Sequence, residues 1–578
     1  MWGTSPNSTD RHVSRRKLAV LVGVLAFLPY LNSLRGGFTF DDIGLVRENP
    51  LITGPVASAA QLFTTTVGPG ALYRPLTMLT YLANERWGNS ALAYHVVNVC
   101  LHVLATIAAF HFAWVLLESP LGATLAAALF AVHPIHTEAV SSIVGRAELL
   151  AALLVWIALL ALVQGVRRRA RQPAWLAVSA GALAAGLLAK ESAFMAIPLC
   201  AVTYFWVAPA SGAKRAARAL WPYMVVGVAY LGLRMLVLGT LTLPTRPNLL
   251  DNPLAYVPLL PRLCTALVVL WEYLSQLALP LRLSADYSFN TIPVVASVLD
   301  FRFVIAVASC ATMAVALAWN AKRAPALMLA AALTLVPLGL TANIFFAIGT
   351  IKAERLLYVP SFGWCLAGAW LITHTARDQR QRWLALVAVV VVAGAARTWV
   401  RNRDWRSNLA LFAATVEASP RSAKAHHNLA VAYERRGEVD AAMLHFRKAL
   451  AIYPPYASAA FGIGEMYEKR GMNTTALEWY ATATKLDAHL AKAHFNAGAI
   501  HYRRGELGAA EAAFEEGLRY EPASPLLLIG VGLVRLAQGD RVDAEEIVGR
   551  AASLADGDPS VARALTHARR ALDEEVVP

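Results

Sequence analysis

Apolar residues come in long, nearly uncharged blocks along the first 400 positions, and the pattern changes abruptly after Arg401, where Glu, Lys and Arg are scattered throughout. Blocks of the length a bilayer requires lie at 18–34, 91–117, 121–140, 147–166, 173–190, 192–209, 219–241, 262–282, 301–320, 325–346, 356–374 and 383–400. They predict an all-α protein in two regimes: a polytopic membrane helix bundle, then a polar helical region. Arg15 to Lys17 precede the first block, and no small-residue cleavage site follows it. It is therefore read as an uncleaved signal anchor.

Past Arg401 a period becomes visible. Gly437, Gly471, Gly505 and Gly539 stand 34 residues apart, and Ala442, Ala476, Ala510 and Ala544 follow at one fixed offset. This spacing is that of the tetratricopeptide repeat, a helix pair that stacks into an α-solenoid. Small residues at Ala430, Gly464, Gly498 and Gly532 are expected to let paired helices approach, with Phe446, Tyr480 and Phe514 filling the gap between pairs. The predicted organisation is a cytoplasmic tail over 1–17, a membrane domain over 18–400 with a first external loop at 35–90, a linker over 401–422, four repeats over 423–558 and a terminal helix or tail over 559–578.

Composition agrees with that division. The 578 residues are 57% hydrophobic and 16% charged, with a net charge of +14. The basic residues sit in short runs between apolar blocks, at Arg15 to Lys17, Arg167 to Arg171, Lys214 to Arg218, Lys322 with Arg323, and Arg377 to Arg382. That is the place of topology determinants rather than of a nucleic-acid surface, so no nucleic-acid partner is expected. All these runs fall on the cytoplasmic side if 242–300 is wholly external, with 262–282 re-entrant or interfacial, and the region after 401 is then external too. The five cysteines lie in apolar stretches without a C-x-x-C pair and read as buried small hydrophobes.

The residues able to carry chemistry gather at the external ends of the blocks. Asp41 and Asp42 follow the first span, where a carboxylate could act as a base on a lipid-linked substrate or simply form a hydrated loop. Segment 76–88, after Tyr73-Arg74-Pro75, reads as an amphipathic helix on the membrane surface. His133, His136 and Glu138 form either a metal site or a hydrogen-bonded polar collar around a cavity, and their spacing is not a diagnostic zinc pattern. Gly145-Arg146-Ala147-Glu148, Lys190-Glu191, Glu354-Arg355 and Asp286-Tyr287 complete the set, for which internal ion pairs are the alternative to catalysis.

In this order, Phe40-Asp41-Asp42, Tyr73-Arg74-Pro75-Leu76, His133 to Glu138, Gly145 to Glu148 and Glu354-Arg355 before Tyr358-Val359-Pro360-Ser361, followed by the repeats, resemble the transmembrane and tetratricopeptide repeat-containing O-mannosyltransferases and their bacterial relatives. The resemblance implies a glycosyltransferase-C fold and inverting transfer of a sugar, most simply mannose, from a polyprenyl phosphate to Ser or Thr hydroxyls of external proteins. Asp41 or Asp42 would be the general base, and Arg74, Arg146, Lys190 and Arg355 would bind the donor phosphate. Asn428 and Asn496, at matching places in repeats one and three, either hold an acceptor backbone or cap the array. No metal ligand set is assigned, and dependence on a divalent metal stays open. The scarcity of Lys beside Arg favours a bacterial inner membrane with a periplasmic site, or the endoplasmic reticulum in a eukaryote. A non-catalytic, membrane-anchored repeat scaffold is the alternative, and a transporter would want midplane charges and internal symmetry that are not visible.

Overall fold

The computed structural model describes residues 8–54, 58–68, 72–240, 247–555 and 559–574. Part of the expected cytoplasmic tail, at residues 1–7, and the last four positions lie outside them. The described residues are helical throughout, with no β-strand among them. They fall into two compact units, Met1–Ser419 and Pro420–Pro578.

In the first unit, seven helical stretches are long and apolar enough to cross a bilayer, among them Ala91–Leu117, Ile143–Arg167, Ala213–Leu238 and Phe301–Asn320. Others of the twelve expected spans are shorter than their apolar blocks. The block at 121–140 is broken into the helix Pro120–Ala131 and the short helix Thr137–Ser141, because His133 is extended before Pro134, which has no N–H to continue the ladder. The block at 356–374 begins its helix at Pro360, where a missing N–H costs nothing. The block at 262–282 forms the strongly amphipathic helix Leu259–Ala278, which is not among the seven. Its C-terminal residue Leu277 accepts a hydrogen bond from His133 at 3.0 Å, at the same end of the bundle as the external-loop residues.

Alanine governs how the spans pack. Ala105, Ala109, Ala113, Ala123, Ala126 and Ala127 are fully buried and bring helix backbones close, while Trp156 fills the centre against Phe112 and Phe362. The outward surface is apolar, with Val228, Leu236, Val315, Val389 and Val392 all more than 60% exposed, a face that only lipid can solvate. The helix Pro75–Trp87 forms as expected and is held to the bundle by Thr77, whose hydroxyl donates to the Ala189 carbonyl at 2.8 Å. The expected linker over 401–422 carries a helix instead, Asn408–Ala418, whose Leu411, Phe412 and Thr415 are buried in the first unit.

The second unit is a run of antiparallel helix pairs, from Ala423–Glu434 with Val439–Ile452 to Pro525–Ala537 with Arg541–Ser553, ending in Pro559–Glu574. Gly437, Gly471, Gly505 and Gly539 all have φ between +74° and +89°, the left-handed turn that closes each first helix. Gly464 lies against the Tyr480 ring, Gly498 against Phe514 and Gly532 against Val548. One spacing of 16 residues thus recurs in each pair.

Candidate functional site

The loop after the first span is clasped from two sides. The Gly37 N–H donates to the Arg406 carbonyl at 3.2 Å and the Phe40 N–H to Asn408 Oδ1 at 2.8 Å. Phe40 has φ +50°, a conformation unfavourable for an aromatic residue, and its ring packs edge-on to Phe412 at 5.5 Å. That turn separates the two aspartates that follow.

Asp42 is fully buried and accepts from the Thr39 N–H and hydroxyl at 3.0 and 3.2 Å, the Ser142 hydroxyl at 3.2 Å and the Val144 N–H at 2.9 Å. Burial raises its pKa to about 6 against the pull of those N–H groups. One of its oxygens closes the loop on Thr39 and the other fastens it to the segment before Arg146. Asp41 is partly exposed and lies within electrostatic reach of Arg355.

Around Arg355 the structure gathers most of the charged candidates. Arg355 is bound to Glu138 through Nη1, and its own N–H donates to the same carboxylate at 2.8 Å. Arg74 grips Glu191 through Nε at 3.0 Å and Nη2 at 2.5 Å, and Lys190 pairs with Glu148. These pairs act on one another: Lys190 feels the charges of Arg74, Arg355 and Glu191, and Arg74 feels Glu148 and Arg355. Glu138, Glu148 and Lys190 are buried, whereas the Arg355, Arg74 and Glu191 side chains keep 35%, 21% and 37% of their surface. Buried Glu138 and half-buried Glu191 hold part-exposed guanidinium groups, leaving Nη1 of Arg74 and Nη2 of Arg355 outside these bonds.

Other candidates lie apart from the cluster. Arg146 is fully buried between the rings of Tyr81 and Tyr94 and donates to Asn98 at 2.9 Å and to the Thr80 and Tyr94 carbonyls at 3.1 Å. It joins three segments of chain, a task its five donors suit. The expected histidine collar is packed interior instead. His136 bonds the Ser361 hydroxyl at 2.8 Å and sits among Phe130, Tyr358 and His102, because the Pro134 turn directs it inward. Among the described residues no group of three or more His, Cys, Asp or Glu is placed to hold a metal ion.

Glu354 belongs to a second buried network, accepting from the Ser284 N–H at 2.5 Å and the Tyr287 hydroxyl at 2.6 Å, with Arg401 at 3.9 Å. Burial pushes its carboxyl up to about 7. Asp286 stands in a local turn, accepting from the Ser288 hydroxyl at 2.6 Å. Lys352 is a charged neighbour that the sequence pattern did not single out. It pairs with Glu272 at 2.8 Å and lies 4.4 Å from the centre of the Tyr287 ring. Its position two residues before Glu354 was the available signal.

In the repeats, Asn496 donates to the Tyr480 hydroxyl at 3.2 Å, and that hydroxyl donates to Glu468 at 2.6 Å. Asn428 Oδ1 meets His427 Nδ1 at 3.4 Å, and its Nδ2 is buried without a partner. Between the two, a side chain at Gly462 would strike the Phe446 ring, so the amide ladder is interrupted by packing.

Comparison with known proteins gives two matching family models. "Protein O-mannosyl-transferase TMTC, DUF1736" matches residues 244–314, and the tetratricopeptide repeat matches 394–457 and 495–559. The first covers the irregular stretch that contains Leu259–Ala278. The protein O-mannosyl-transferase F38B6.6 of Caenorhabditis elegans is 28% identical over 78% of this chain and 65% of its own length. The human protein O-mannosyl-transferase TMTC3 is 27% identical over 77% of this chain and 52% of its own. The chain thus spans about half to two thirds of these relatives. A solved tetratricopeptide protein, YrrB, is 18% identical over 35% of this chain and 98% of that one, at a TM-score of 0.23, which carries no argument. Over three quarters of its length, on both sides of Arg401, the chain is similar in sequence to the protein O-mannosyl-transferases TMTC.

Proposed function

We propose that the chain is a membrane-embedded protein O-mannosyltransferase, taking mannose from a polyprenyl phosphate and placing it on Ser or Thr hydroxyls of proteins at the face opposite its basic loops. The observation that carries the reading is one partly exposed carboxylate, Asp41, within electrostatic reach of Arg355, whose charge in turn acts on Arg74 and Lys190 at one end of an apolar bundle. The names of the relatives supply the reaction class.

In this reading Asp41, not Asp42, takes the proton of the acceptor hydroxyl as its oxygen bonds to the anomeric carbon. The bond from that carbon to the phosphate oxygen breaks on the opposite side, so the centre inverts and polyprenyl phosphate leaves as a stable anion. Arg74 and Arg355 offer their free guanidinium edges to it, and Lys190 adds buried positive charge. The repeats present the acceptor protein.

The test is transfer of labelled mannose from polyprenyl-phosphate mannose to protein, followed by mass spectrometry. Asp41→Asn should abolish transfer while the protein remains folded and membrane-inserted. Full transfer by that variant would remove Asp41 from the mechanism. Loss of transfer in Asp42→Asn accompanied by a lowered unfolding temperature is the expected signature of a fastening residue.

A further inference from the structure

The first unit has a cleft of about 650 Å³ at the end of its helices away from the charged cluster. The helix Arg146–Arg167 carries Glu148 of that cluster near its start and ends in this cleft at Arg167, roughly 29 Å from Glu148 at 1.5 Å per residue. The ends of Ala91–Leu117 and Ala196–Val207 meet it there, with the start of Ala213–Leu238. One wall is apolar, built from Val115, Leu116, Val166 and Trp206. The other carries Arg167 and Arg215.

The charges in the cleft are uneven. Arg167 is tied to Glu118 at 3.1 Å and to the Val115 carbonyl at 3.2 Å, but Arg215 makes no ion pair among the described residues. The Ser211 hydroxyl in the lining is buried without a hydrogen-bond partner. Gly212 caps the helix Ala213–Leu238 with no side chain, and its first turns hold Lys214, Arg215 and Arg218 with no acid. Cations at the positive end of a helix dipole repel it, so an anion is the missing component.

We propose that this cleft binds a phospholipid with an anionic headgroup, drawn from the leaflet opposite the transferase site. Arg215, the free N–H groups of the first helical turn and the Ser211 hydroxyl hold the phosphate, while the acyl chains lie along Trp206 and Val166. The occupant is a lipid rather than a free anion because the apolar wall continues into spans whose outer faces only lipid solvates.

The test uses the full chain in detergent, stripped of lipid and titrated by native mass spectrometry with phosphatidylglycerol, phosphatidylcholine and inorganic phosphate. Phosphatidylglycerol should bind at least tenfold more tightly than phosphatidylcholine. Arg215→Gln should erase that preference with its unfolding temperature unchanged, and Arg382→Gln, from another basic run, should keep it. Equal affinity for the two lipids overturns the proposal, as does equal weakening by both variants, which marks general surface attraction. Displacement of the lipid by inorganic phosphate at equal concentration also overturns it, because the site is then one for the free ion.

Discussion

Asp41 and Asp42 are adjacent and chemically identical, yet they occupy opposite environments. The left-handed Phe40 and the four bonds to Asp42 set a buried carboxylate beside a partly exposed one. A carboxyl whose pKa rises to about 6 on folding stabilises the fold fully below about pH 4, its unfolded range, and loses that contribution as pH rises through about 6. The expected size is about 3 kcal/mol between pH 4 and pH 8. Thermal unfolding of the detergent-solubilised protein should therefore show stability falling over that range relative to Asp42→Asn, whose side chain does not titrate. A constant difference between the two would mean that Asp42 ionises at its ordinary pKa. Arg355 is the most open cation that contacts a buried carboxylate, and in the proposed reaction it is a phosphate ligand as well as the partner of Glu138. Arg355→Ala should lower kcat/KM for transfer by about a hundredfold to a thousandfold, with Arg355→Lys recovering part of it.

Among the elements, the repeats show how little sequence a helix pair requires. A small residue in the first helix faces a large one 16 positions on, and a left-handed glycine turns the chain between them. At Gly498 an added Cβ would fall on the Phe514 ring, whereas at Gly508 it would meet nothing within 4 Å. Gly498→Val should destabilise the full-length protein's repeat transition by about 1–3 kcal/mol in calorimetry, as overpacked cores do. Gly508→Ala, which only removes backbone freedom, should not lower it. The helix Leu259–Ala278 makes a contrasting case: it has the length of a span, yet it is strongly amphipathic and its Leu277 carbonyl accepts from His133.

For the whole molecule, the membrane is the organising solvent. Consecutive apolar helices of the first unit run back and forth between a charged, hydrogen-bonded end and an end of basic turns, as in Arg146–Arg167 followed by Gln172–Ala189. Phe301–Asn320 separates the exposed Ser297 from the exposed Lys322. In a cysteine-free background, a cysteine at Ser297 should react with an impermeant maleimide from one side of the membrane and a cysteine at Lys322 only from the other. Labelling of both from the same side would contradict the path of that helix.

Hydropathy blocks, basic runs and a 34-residue period were enough to determine the all-helical class, the membrane regime and the repeats, because each depends on chain-local pattern. The ends of helices were less legible, since Pro134 and Pro360 stop or start a ladder inside apolar blocks that hydropathy alone joins. The site was legible as an inventory: Arg74, Lys190, Arg355 and their carboxylates carried their charge into view. Their pairing was not, nor was the burial of Arg146 among tyrosines or the place of His136 in the core. Those outcomes depend on contacts such as Arg355 with Glu138, 217 positions apart, and Arg74 with Glu191, 117 apart. Local sequence specifies which residues are charged, and only the folded bundle decides which of those charges are spent on one another and which keep exposed surface.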